Sequence, residues 1–158
     1  MDSSNDSEAV CEMLAQNEER ISELYRTYAE KFPKYKDLWD GLAEEETKHA
    51  TWIRKLASWV KEGVININAD RFNISAIRTF SNYVDKELTN VRTSNVSLKN
   101  ALVIASYMED SIIEHNYFEV FEGDSLELRN TLLDLANETN KHRNMIKEAL
   151  RKAKASES

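Results

Sequence analysis

Leu42-Ala-Glu-Glu-Glu-Thr-Lys-His49-Ala-Thr-Trp-Ile53 sets a carboxylate, Glu46, and an imidazole, His49, three residues apart. Around it the apolar positions run Tyr35, Trp39, Leu42, then Ile53, Leu56 and Val60, a helical period into which Glu46 and His49 fit as core positions. Acidic side chains are almost never fully buried unless they are paired or ligate a metal, because an unpaired carboxylate loses its hydration without return. The spacing is that of two metal ligands stacked on one helix face, and the fold follows from asking what Glu46 meets.

Bulk composition frames the answer. A chain of 158 residues suits a single domain over 1–158 and is long enough to bury ~70% of its unfolded surface. Three Gly, one Pro and 31% charged residues predict a nearly all-helical protein. The net charge of -7 argues against nucleic acid and against an anionic membrane surface as partners. A single cysteine, Cys11, excludes an intramolecular disulfide framework and a Cys-x-x-Cys metal knuckle. No apolar run is long enough to span a bilayer, and Met1 to Ser7 lacks the basic start and apolar stretch of a secretory signal, so a cytoplasmic location is expected.

Breakers divide the chain into four long helices and a shorter one. The first is predicted from about Ser7 to Phe32, closed by Pro33. After the short turn at Pro33, the second runs from about Lys36 to Lys61 and folds back antiparallel, with Gly63 ending it. Val64 to Asp70 alternates apolar and polar residues but has no second strand signal, and reads as an extended connection. Asn73 caps the shorter helix to about Val91; Ser97 caps a third long one to about Glu122. Gly123 terminates it, and Asp124 with Glu127 resembles a capping box for a last helix over about Ser125 to Lys154. Residues 1–6 and 155–158 are expected to be flexible.

The inward stripes turn one motif into a constellation. On the first helix Cys11, Leu14, Glu18, Ile21, Tyr25, Tyr28 and Phe32 share a face, with Glu18 its only charge. A hairpin about Pro33 sets Glu18 level with His49 and a turn from Glu46. The third long helix repeats the device with Leu98, Leu102, Ala105, Glu109, Ile112 and Asn116. The last reads Leu128, Leu132, Leu135, Thr139, His142 and Ile146. Taken singly, each acid has an ordinary reading: Glu46 as the partner of a lysine, Glu18 at a boundary. Their occurrence together on four helices points to a metal site, and mixed carboxylate and imidazole ligation suits iron or manganese. Cys11 reads as a small buried hydrophobe, His115 as exposed, Trp39 and Trp52 as packing, and Tyr25 and Tyr28 as core aromatics.

Leu135-Ala-Asn-Glu138-Thr139-Asn-Lys-His142 aligns without gaps on Leu42-Ala-Glu-Glu45-Glu46-Thr-Lys-His49. One Glu from each of two helices and a Glu-x-x-His from each of two others is the di-iron arrangement of ferritin-like bundles. With Ile21-Ser-Glu-Leu-Tyr-Arg-Thr-Tyr-Ala29, the Leu-Ala-x-Glu-Glu-x-x-His-Ala motif resembles rubrerythrin and its ferritin-like relatives from about Glu18 to Ile146. The resemblance implies an all-α ferritin-like antiparallel four-helix bundle with an extra short helix between its second and third long helices. It also implies Glu18, Glu46, His49, Glu109 and His142 as ligands of a di-iron centre.

Two departures stand out. Thr139 replaces the acid of the second Glu-x-x-His, leaving Glu138, one position early, as the candidate. Rubrerythrins proper also hold iron on four cysteines of a rubredoxin domain, which these residues lack, so an external electron-donor protein is expected. The implied activity is reduction of hydrogen peroxide, or of oxygen, by a non-haem di-iron peroxidase or oxidase, with no catalytic residue assigned beyond the ligands. The alternatives are a ferroxidase or iron-binding protein, and a helical interaction protein with a degenerate metal site. Bundles of this kind associate, so a homodimer is expected, with Trp59, off the central stripe, as a contact.

Overall fold

The computed structural model describes residues 3–67, 74–114, 121–122 and 126–156. Five α-helices carry the chain: α1 Ser3–Lys31, α2 Lys36–Lys61, α3 Ile74–Thr93, α4 Leu98–Glu114 and α5 Leu126–Ser156. The architecture is the expected all-α ferritin-like bundle, and its punctuation is local chemistry. Phe32 leaves the helical region at φ -119°, ψ 74°, as a residue before proline must, and Pro33–Tyr35 forms one turn of 3-10 helix before α2. Gly63, at φ 77°, lets the chain turn left-handed after α2, while the Val64 amide donates back to the Trp59 carbonyl at 2.9 Å. Ser97 caps α4 by accepting from the Asn100 amide at 3.1 Å. The Lys31 ammonium donates to the Ser94 carbonyl at 2.9 Å, tying the end of α1 to the end of α3.

Several expectations change. The extra helix is not short: α3 has 20 residues and α4 has 17. Its buried face is Ser81, Val84, Leu88 and Val91. The third long helix does not reach Glu122. It is described as far as Glu114, and Phe121–Glu122 forms a strand, β2, paired antiparallel with β1, Asn66–Ile67. The extended connection after α2 therefore does find a partner, in Phe121–Glu122, where the aromatic Phe121 favours a strand. Helix is described from Ser3 and as far as Ser156. Asn73, His115, Asn116, Gly123 and Asp124 lie outside the described residues. No helix among the described residues is long and apolar enough to cross a membrane.

α1 and α2 form the most extensive pair, α4 packs on α5, and α3 lies against α1. Because α1 has neighbours on two sides, its buried face is wider than one stripe and takes in Asn17, Ser22, Leu24 and Ala29. The core is in two parts. One joins Ile21, Leu24, Tyr25 and Tyr28 to Trp39, Leu42, Leu102, Met108 and Ile146. The other joins Cys11, Leu14 and Ala15 to Ile53, Leu56, Leu128 and Leu135. Along α1, α2 and α5 the switch between them falls at the same level, and there sit Glu18, Glu46, His49, Thr139 and His142. With Glu109 of α4 they make one buried polar layer across the bundle.

Candidate metal centre

Glu46 is the hub of that layer. It is fully buried, and its two oxygens face different histidines: Oε2 lies 3.4 Å from His49 Nδ1, and Oε1 lies 3.4 Å from His142 Nδ1. Neither oxygen has a hydrogen bond. Glu18 Oε2 lies 3.8 Å from His49 Nδ1. Glu109, also fully buried, accepts a 2.9 Å hydrogen bond from the Tyr25 hydroxyl on one oxygen, while its other oxygen has no hydrogen bond. The imidazoles stack with centroids 5.3 Å apart and planes at 27°, and the Nε2 of each is without a hydrogen bond.

Ligand atoms within 4.8 Å of one another define two overlapping trios, Glu18, Glu46 and His49, and Glu46, Glu109 and His142. Glu46 belongs to both trios, and Glu109 lies on the His142 side. A third group, Glu45, His49 and His142, meets the same distance. Glu45 escaped the sequence reading because it stands off the apolar stripe and is only half-buried. Glu138 joins no group among the described residues; it is half-buried, and its charge acts on Lys48. It precedes the inward Thr139 by one residue, about 100° around the helix. Thr139 is buried, and its hydroxyl donates to the Leu135 carbonyl at 2.9 Å, so it competes for nothing in the layer.

The protonation pattern reflects crowded negative charge. Burial disfavours the His49 imidazolium, but the facing carboxylates of Glu18 and Glu46 outweigh it and push the ring up to about 11. His142 is raised in the same way, against burial, by Glu46 and Glu109. Burial, and then the charge of Glu46, holds the Glu109 carboxyl well above its ordinary range. The Tyr25 phenol is driven up by burial first and by Glu109 second. Protons thus stand where cations would serve. Three buried carboxylates and two imidazoles, most with lone pairs or N–H groups unmatched by the protein, fit divalent ions in donor type.

Neighbouring contacts fix the layer in place. The Ser22 hydroxyl donates to the Ala43 carbonyl at 2.8 Å and lies 3.0 Å from the Thr47 hydroxyl, holding α1 to α2 one turn from Glu18 and Glu46. Asp110 and Arg143 form an ion pair at 2.5 Å, joining α4 to α5 beside Glu109 and His142. Tyr25 and Tyr28 pack on Trp39, with centroids at 5.5 and 4.8 Å.

An antiparallel helical bundle with a carboxylate and imidazole layer at mid-height defines the class of ferritin-like carboxylate proteins. Comparison with protein-family models matches residues 12–150 to rubrerythrin, and the chain belongs to that family. No curated protein and no solved structure gives a significant match.

Proposed function

We propose that the layer holds two divalent metal ions, iron foremost and manganese as the alternative, and that the protein is a non-haem di-iron oxidoreductase. Its oxidant is hydrogen peroxide and its electrons come from an external donor. The observation that carries this reading is Glu46, a fully buried carboxylate 3.4 Å from each of two histidines with no hydrogen bond on either oxygen. Such a group is costly unless cations sit against it. Glu18 and His49 would hold an ion on one side, Glu109 and His142 on the other. Bound iron supplies two electrons from a diferrous pair, as many as peroxide needs to become two waters with two protons.

The protein's own part is positioning and exclusion of water. Tyr25 holds Glu109 in place through its hydrogen bond, and the two apolar clusters close the layer above and below. In such a dry site, charged ligands act more strongly than they would in water. Stopped-flow mixing of anaerobic Fe(II)-loaded protein with peroxide and, separately, with oxygen tests the reading. Faster oxidation by peroxide is expected. Comparable rates with both oxidants would favour a ferroxidase, and no oxidation faster than that of free Fe(II) would leave a helical protein with a degenerate site.

A further inference from the structure

We propose that Glu45, with His49 and His142, forms an outer acquisition site through which a divalent cation passes into the layer, and that Lys48 is its gate. The inference rests on the two-metal reading above and extends it to how the site is filled. Ligand atoms of the three residues lie within 4.8 Å of one another. Glu45 is the one acid of the convergent groups that reaches solvent: its side chain is 30% exposed, against 0% for Glu46 and 3% for Glu18. Behind it the histidines are buried at 3% and 1%, each with an Nε2 that has no hydrogen bond. A carboxylate at the surface therefore abuts two sheltered nitrogens.

Two features make this a way station and not a third resident site. A neutral imidazole has one lone pair, so a histidine occupied in the outer site is not free to ligate an inner ion. Occupation is thus sequential. Glu45 is also held outward by Lys48, whose ammonium lies 3.1 Å from its Oε1, and an arriving dication competes with that ammonium for the same oxygen. Glu44 and Glu138 also act electrostatically on Lys48. Glu138, a candidate ligand in the sequence, thereby belongs to an acidic mouth that raises the local cation concentration.

The test is stopped-flow loading of the metal-free full chain with Co(II), followed by its visible absorption, with the metal-to-chain ratio measured at saturation. Glu45→Gln, which keeps the shape and removes the charge, is expected to slow loading roughly tenfold while reaching the wild-type ratio. Lys48→Gln is expected to speed loading about fivefold, the worth of one neighbouring charge in water. Loading of Glu45→Gln at the wild-type rate would overturn the proposal. So would a lower final ratio, which would make Glu45 a resident ligand. Wild-type protein that takes up no Co(II) would refute the metal centre itself, a failure seen before any variant is compared.

Discussion

Tyr25 and His49 carry the clearest consequences at the scale of single residues. Tyr25 donates a 2.9 Å hydrogen bond to the buried Glu109 carboxylate. Tyr25→Phe should cost about 1–3 kcal/mol, the range for leaving a buried acceptor unmatched, in denaturant unfolding of the metal-free protein. With metal bound the loss should shrink, because the ion then anchors Glu109; an equal loss in both forms would mean that Tyr25 only packs. For His49, the ring rises from its ordinary 6.5 to about 11 in the folded, metal-free chain. Its protonation thus stabilises the fold fully below pH 6.5, and that contribution fades as pH climbs towards 11. Thermal unfolding in the presence of a chelator should show stability falling over this window. Metal binding expels the same proton, so metal affinity should rise with pH over the same interval.

Most of this layer was legible residue by residue, since Glu18, Glu46, His49, Glu109 and His142 each break an apolar stripe. Glu45 breaks none, and the place of Glu46 between two histidines depends on how α5 is set against α2, which no single helix's periodicity records.

Elements were legible where the chain carries its own stop signals. Pro33 and Gly63 fix the ends of α1 and α2, and Ser97 fixes the start of α4. The far end of α4 was misread because Ile112 to Phe121 keeps an apolar character that suits either state; pairing with Asn66–Ile67, distant in sequence, decides for strand at its end. The buried face of α3 is Ser81, Val84, Leu88 and Val91. What pins that face is polar: the Ser81 hydroxyl donates to the buried Asn17 side chain of α1. Ser81→Ala should destabilise the protein by about 1–3 kcal/mol without lowering its metal content. Leu88→Ala, on the same face, should cost about 2–5 kcal/mol. Chemical denaturation with a metal assay on each variant checks both, and a metal loss in Ser81→Ala would show that α3 shapes the centre as well as covering α1.

For the molecule as a whole, the polar layer between two apolar halves is a division of labour: the halves supply stability, and the layer spends some of it on a charged site. Trp59, expected as a dimer contact, packs on the second apolar cluster and lies under the Lys55 ammonium at 5.1 Å. Cys11 is buried, and burial pushes its thiol up to about 12, so it serves as neither reductant nor ligand. With Cys11 unable to recharge the metals, Fe(II)-loaded protein given excess peroxide should react once and stop, then turn over when a one-electron reductant is added. Sustained turnover without a reductant would contradict that. The central claim is that Glu46 is shared by two metal ions, and anaerobic Fe(II) titration of metal-free wild type, Glu18→Ala and Glu46→Ala tests it most directly. The account predicts about two ions per chain in wild type, about one in Glu18→Ala and almost none in Glu46→Ala, because Glu46 belongs to both inner trios. Equal iron in Glu46→Ala and wild type would contradict it.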